Sequence, residues 1–211
     1  MTKTRDKIID NALNLLDEGG LEKLTLKRLA DALGIQPPSL YWHFKNKQNL
    51  IDAMADSLIK PAACVEYDEY DFETAIIKVA DNVREALKSR RDGAKLFAGT
   101  YAVTENVVRL ADKIIGALRN AGASSDVAAQ ASLCVIYYVL GFVIEEQSFY
   151  VTFQAKGLLE SQTELIFTMS KERFPNIHAA LPVIMNDDFD ERFRFGVSIQ
   201  VEGIRLLLNK T

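Results

Sequence analysis

Apolar residues recur at helical spacing along almost the whole chain. The first stripe ends at Gly19-Gly20, a signal that ends helices, and consists of Ile8, Ile9, Ala12, Leu13, Leu15 and Leu16. No alternating run is long enough to support a sheet, and no repeat or low-complexity segment is present. The pattern therefore predicts an all-α protein.

Two short helices joined by a tight turn follow the first stripe. One runs from Thr25 to Gly34, and the next spans Gln36–Phe44. Pro37 and Pro38 fit the start of that second helix, because a first helical turn has N–H groups without intrahelical partners. This arrangement is typical of a helix-turn-helix unit. Its predicted core contains Ile9, Leu13, Leu16, Leu26, Leu29, Leu33, Ile35, Leu40 and Phe44, and Trp42 is also predicted to pack inward.

Further helical patterns divide the rest of the chain. A helix from Lys47 to about Ile59 is followed by Pro61 and the acidic stretch 66–71, which we interpret as a seam. We predict a DNA-binding domain over 1–46, a connecting helix over 47–64 and a ligand-binding and dimerisation domain over 65–211. Helices are predicted there over 72–89, 106–121, 125–150, 158–173 and 188–209, with Gly93, Gly122, Pro175 and Pro182 in loops.

Composition favours a globular protein of the cytoplasm. The chain has 211 residues, of which 48% are apolar, and it carries no signal-peptide pattern. The longest run without a polar side chain, 133–144, is shorter than a bilayer requires, so we expect no membrane segment. Cys64 and Cys134 are far apart, which predicts neither a disulfide framework nor a metal site.

Charge is unevenly distributed along the chain. The net charge is −4, yet residues 1–60 hold nine Lys/Arg against eight Asp/Glu. Basic residues gather around the helix-turn-helix, as expected for a protein that binds a specific DNA site. The side chains predicted to face DNA are Thr25, Lys27, Arg28, Pro37, Pro38, Ser39, Tyr41, His43 and Lys47.

The segment TLKRLADALGIQPPSLYWHFKNKQNLIDAM resembles the DNA-binding domain of the TetR family of repressors. The spacing Tyr41-x-His43-Phe44-x-x-Lys47-x-x-Leu50 matches the most specific signature of that family. The resemblance implies that the residues named above contact the groove or phosphates of an operator. It also implies a homodimer that releases DNA when a small-molecule inducer binds the C-terminal domain.

Three positions depart from the tetracycline-responsive members of that family. Lys27 stands where they read guanine with an arginine, and Pro37 stands where they have a glutamine, so we expect a different operator. Phe97 stands where they hold magnesium with a histidine. The resemblance therefore predicts no metal, no cofactor and no magnesium–tetracycline inducer for this chain.

The same resemblance places an inducer pocket in the C-terminal domain. We expect a partly apolar or aromatic ligand and a lining drawn from Val79, Val83, Phe97, Thr100, Tyr101, Tyr137, Tyr138 and Glu145. The apolar helices 125–150 and 188–209 would form the dimer, although the residues alone favour a monomer core equally.

Other functions remain open from sequence. An activator of the same fold is an alternative to a repressor. A helical enzyme and a protein-interaction module are less favoured, because no catalytic constellation is visible and Tyr41, His43 and Lys47 share one short segment.

Overall fold

The computed structural model describes residues 2–67, 70–100, 103–151 and 159–209. Within these ranges the chain forms helices and no strand, so the all-α prediction is confirmed. A 3₁₀ turn spans Leu21–Lys23. The α-helices are α1 (Thr2–Gly19), α2 (Leu26–Leu33), α3 (Pro37–Tyr41), α4 (Lys47–Ala63), α5 (Phe72–Lys88), α6 (Gly93–Ala98), α7 (Glu105–Asn120), α8 (Ser125–Phe149), α9 (Leu159–Arg173), α10 (Pro175–Ile184) and α11 (Phe189–Leu208).

Side-chain caps explain where the N-terminal helices begin. The Thr25 hydroxyl accepts a hydrogen bond from the Arg28 N–H at 3.1 Å and starts α2. Gly34 ends α2 in the left-handed region at φ 65°, where glycine carries no steric penalty. The Asn46 amide oxygen accepts from the Asn49 N–H at 2.9 Å and starts α4. Most of the predicted core is buried, with Leu26, Leu33 and Ile35 only half-buried.

Two helices differ from the sequence pattern at prolines. Pro61 lies inside α4, which continues to Ala63, beyond the end at about Ile59 that the pattern predicts and in agreement with a connecting helix over 47–64. Ala62 and Ala63 are buried there, and the Tyr67 hydroxyl donates to the Ala62 carbonyl at 3.0 Å. Pro175 and Pro182 lie within α10, in a stretch predicted as loop. Pro175 takes the first helical turn, where a missing N–H costs no hydrogen bond.

The larger helical assembly is centred on α8, which packs against α5, α6, α7 and α11. By length and composition alone α8 is apolar enough to cross a membrane, a test that the core helix of a soluble protein also passes. Its residues Val135, Val139 and Val143 are buried in the core of the described chain. These contacts are those of a core helix.

Candidate DNA interface and effector region

The predicted DNA-facing side chains lie on α2 with its capping residue Thr25, on α3, at His43 in the turn after α3 and on the first turn of α4. Most of them are exposed, and Pro37 and His43 are half-buried. Leu40 and Phe44 face the other way and are fully buried, which holds α3 against α1 and α2. A short rigid helix with polar groups on its outer side fits a DNA major groove, which is about 12 Å wide.

Trp42 is not a core residue, and the prediction that it packs inward is wrong. Its side chain is 89% exposed. Helix α3 ends at Tyr41, earlier than predicted, and the N–H groups of His43 and Phe44 both donate to the Leu40 carbonyl at 2.9 Å. This turn sends Phe44 into the core and leaves Trp42 on the surface. Trp42 is therefore an additional candidate for DNA contact that sequence reasoning missed.

The basic residues of this face differ in whether they already interact with other groups of the protein. The Arg28 guanidinium donates to the Lys23 carbonyl at 2.9 Å, which holds it against the 3₁₀ turn that precedes α2. Within the described part of the chain, Lys27, Lys45 and Lys47 form no ion pair. Their ammonium groups are therefore available to phosphates.

The predicted pocket residues do not gather at one place. Val79 and Val83 are buried on α5, and Tyr137 is 64% exposed on α8. Tyr138, also on α8, contacts α11, where its hydroxyl donates to the Phe193 carbonyl at 3.0 Å. Phe97 and Thr100 are half-buried at the end of α6, where the Thr100 hydroxyl donates to the Phe97 carbonyl at 2.8 Å. Glu145 is exposed, and Tyr101 lies outside the described residues.

A buried charge network in the C-terminal domain was not predicted. The Arg84 guanidinium donates two hydrogen bonds to the Glu146 carboxylate, at 2.7 and 3.0 Å, and their side chains are only 7% and 2% exposed. Lys88 lies 3.0 Å from the same carboxylate. Asp190 on α11 pairs with Arg84 at 2.7 Å, and the hydrogen bond from Arg84 lowers the pKa of Asp190. The network joins α5, α8 and α11.

One feature of the sequence indicates that Glu146 is buried. It follows Val139 and Val143 at helical spacing, so it lies on the same buried face of α8. Aromatic rings enclose the Arg84 guanidinium, which lies 4.6 Å from the Phe193 ring centroid and 5.6 Å from that of Phe142. This region is therefore filled by its own side chains. Across the described residues, no group of three or more His, Cys, Asp or Glu is placed to hold a metal.

Helices α8 and α11 expose an apolar face. A groove of about 570 Å³ lies between them. Large apolar side chains exposed on the two helices are Leu133, Tyr137, Phe195, Ile199, Leu206 and Leu207. Contiguous apolar surface of this kind marks an interaction site in a soluble protein.

Comparison with known proteins agrees with this architecture. Residues 8–54 match the domain described as bacterial regulatory proteins, tetR family, and residues 66–208 match the tetracyclin repressor-like C-terminal domain. A tetracycline repressor protein of class C from Escherichia coli is 33% identical over 203 residues, covering 95% of this chain and 90% of its own.

Two solved structures have the same fold. A possible TetR family transcriptional regulator from Streptomyces coelicolor A3(2) is 35% identical with a TM-score of 0.86, covering 96% of this chain and 99% of its own. BioQ in complex with its double-stranded DNA operator is 29% identical with a TM-score of 0.69, covering 95% of this chain and 96% of its own. The helix-turn-helix, the helical C-terminal domain and these matches together establish that the chain belongs to the TetR family of ligand-responsive, DNA-binding transcriptional regulators.

Proposed function

We propose that this protein represses transcription as a homodimer and leaves its operator when a partly apolar small molecule binds the C-terminal domain. The observation that carries the DNA-binding part is the exposed polar face of α2 and α3, backed by the buried Leu40 and Phe44. The proposed division is 1–46 for DNA binding, 47–64 for connection and 65–211 for ligand binding and dimerisation. A cytoplasmic location and the lack of enzymatic activity belong to the same proposal.

The DNA contacts follow from the chemistry of each side chain. Ser39, Tyr41 and His43 donate to base edges or phosphates, and Pro38 offers apolar surface to a thymine methyl. Lys47, in the first turn of α4, adds its ammonium to a helix N-terminus, which attracts phosphate. In this proposal Lys27 reaches a guanine, and Pro37 removes a hydrogen-bonding side chain from α3, the helix that enters the groove. Operator specificity therefore differs from that of tetracycline-responsive relatives.

The apolar face of α8 and α11 supports a two-fold interface. Two helices from each protomer would form a four-helix bundle, which buries side chains such as Leu133, Phe195 and Leu206. Size-exclusion chromatography with light scattering tests this arrangement. We expect a dimer for the wild type and a monomer for Leu206→Asp, and Leu165→Asp, an equally exposed residue of α9, is the control. A monomeric wild type at micromolar concentration would contradict the interface.

The effector is proposed to be aromatic or apolar and to bind without magnesium. Phe97, half-buried at the end of α6, provides neither oxygen nor imidazole for a divalent ion. We expect tetracycline with magnesium to leave the operator complex intact at micromolar drug. Release of the operator under those conditions would show that the metal-dependent inducer is used after all. A thermal-shift screen of hydrophobic drugs and metabolites is the positive search.

DNA binding is tested by selecting operators from random duplex DNA at stated salt. We expect the wild type to enrich a palindromic site, and Tyr41→Ala/Lys47→Ala to lose at least about tenfold in affinity for it. Lys171→Ala on α9 is the control for removal of an exposed positive charge. Failure of the wild type to enrich any site would contradict the proposed function. A reporter fused to the selected site distinguishes repression from activation.

A further inference from the structure

Helix α1 and the loop between α5 and α6 are joined by a reciprocal set of hydrogen bonds. The Asp17 carboxylate accepts from the Arg90 guanidinium at 2.6 Å and from the Arg91 backbone N–H at 2.9 Å. In the opposite direction, the Asp92 carboxylate accepts from the Leu21 backbone N–H at 2.9 Å. We call these five residues the interdomain clamp. Because each side supplies a carboxylate, the clamp restrains both distance and rotation between the two parts.

The backbone is shaped for this contact. Asp92 adopts φ 54° and is the one non-glycine residue with positive φ among those described. Gly20 faces it, and a Cβ atom at Gly20 would lie 2.7 Å from the Asp92 Oδ2 atom. A Cβ atom at Gly93 would lie 2.2 Å from the Leu87 carbonyl oxygen, so the backbone after the loop packs closely against the end of α5. A left-handed aspartate persists only where its surroundings hold it there.

Gln147 of α8 holds the loop from the core side. Its amide oxygen accepts from the Ala94 N–H at 3.2 Å, and its amide nitrogen donates to the carbonyls of Leu87 and Arg90 at 3.2 and 2.8 Å. One side chain thus fixes both ends of the loop. Since α8 also carries the proposed dimer face, a continuous path of contacts runs from the dimer helices to α1.

The clamp restrains a motion that α4 alone does not. Helix α4 links residues 2–47, which we call the recognition unit, to the core and packs against α5, α6 and α7. If α4 were the only attachment, the recognition unit would rotate most easily about the axis of α4. The clamp adds hydrogen bonds to α1 and to the 3₁₀ turn that follows it, on elements other than α4, so it opposes this motion.

We propose that Asp17 and Asp92 are positioning residues for operator binding, which set the orientation of each recognition helix and hence the spacing between operator half-sites that the dimer accepts. This inference rests on the proposed function as a DNA-binding homodimer. It assigns to α1 and the α5–α6 loop a role in DNA selectivity without any contact to DNA.

The first test measures tolerance to half-site spacing. The operator selected by the wild type is remade with one or two base pairs added or removed at its centre, and each pair moves a half-site by about 3.4 Å. The variant is Asp17→Ala/Asp92→Gly, in which glycine keeps the left-handed backbone accessible while both carboxylates are lost. Asp10→Ala, an exposed aspartate on α1 outside the clamp, controls for the loss of a carboxylate from this helix.

We expect the wild type and the control to lose at least about tenfold in affinity when the spacing changes by one pair. In the double variant the ratio between the best and the altered spacing should fall to about one third of the wild-type ratio or less, while half-site sequence preference is retained. An unchanged ratio in a variant that circular dichroism shows to be folded would overturn the proposal. Absence of any selected operator would count against the proposed function instead.

The second test needs neither DNA nor a dimer. The chain has a single tryptophan, Trp42, which is exposed on the recognition unit. Time-resolved anisotropy of Trp42 therefore reports the nanosecond part of the motion of that unit, added to the local motion of the indole ring that all variants share. We expect a nanosecond component of larger amplitude in Asp17→Ala/Asp92→Gly than in the wild type and in Asp10→Ala. Identical decays in all three proteins would show that the clamp does not restrain the recognition unit.

Discussion

The recognition unit and the α5–α8–α11 core use polar side chains in opposite ways. In the recognition unit, Tyr41, Trp42 and Lys47 are exposed, so their side chains can contact another molecule. In the core, Arg84 and Glu146 are buried and satisfy each other across 62 positions of sequence. Removal of a side chain should therefore weaken DNA binding in the first region and stability in the second.

A large effect is expected from Glu146→Ala, which leaves Arg84 as a buried charge without its bidentate partner. We expect the free energy of unfolding to fall by about 3 kcal/mol, because Asp190, the remaining anionic partner of Arg84, is largely exposed and offsets the desolvation of the guanidinium only in part. Urea unfolding measures the loss. Glu145→Ala, at the exposed neighbouring position, should change stability by less than about 0.5 kcal/mol. Equal losses of stability in Glu146→Ala and Glu145→Ala would contradict the assignment of Glu146 to the buried core.

The packing of α11 on α8 is tested by Gly196→Ala. A Cβ atom at Gly196 would lie 2.0 Å from the Tyr138 hydroxyl oxygen, so the ring has to move and its hydrogen bond to α11 is lost. We expect a loss of about 1–3 kcal/mol in thermal or urea unfolding. Gly116→Ala in α7, where nothing lies within 4 Å of the new atom, should be neutral or stabilising by up to about 1 kcal/mol. A stable Gly196→Ala protein would mean that the two helices are less closely packed than described.

Trp42 and Phe44 allow the contribution to DNA binding and the contribution to stability to be compared at two neighbouring positions. Trp42→Ala should leave stability within about 0.5 kcal/mol of the wild type, since the side chain is exposed. The same substitution should weaken binding of the selected operator about tenfold. Phe44→Ala, at a fully buried position, should cost about 3–5 kcal/mol of stability. Chemical denaturation and fluorescence anisotropy with labelled operator measure the two quantities, and a destabilised Trp42→Ala protein would contradict its surface position.

The smallest effect concerns the salt dependence of operator binding. Lys47→Ala should reduce the slope of log affinity against log salt by about 1, because one phosphate contact is lost. Lys27→Ala should instead alter preference at one base pair if its ammonium reads guanine. Lys171→Ala should change neither quantity. An unchanged slope for Lys47→Ala would remove this residue from the phosphate contacts.

Sequence predicted the recognition unit well because its determinants are local. Caps at Thr25 and Asn46, the glycine at 34 and the paired prolines are all read from neighbouring residues, and the structure has helices bounded by them. Sequence failed for Trp42 because Phe44, two positions further along the chain, occupies the core instead. Short helices leave that choice to packing, since several aromatics compete for one interior position.

The sequence by itself determined the all-α fold, the helix-turn-helix and the family, since periodicity, caps and a local motif carry that information. Only the tertiary structure decided that Glu146 faces inward while Glu145 faces outward, and that Asp17 meets Arg90 across 73 positions. Such pairings depend on how helices are rotated and placed against one another. That placement results from burial summed over the whole core, and no single segment contains it.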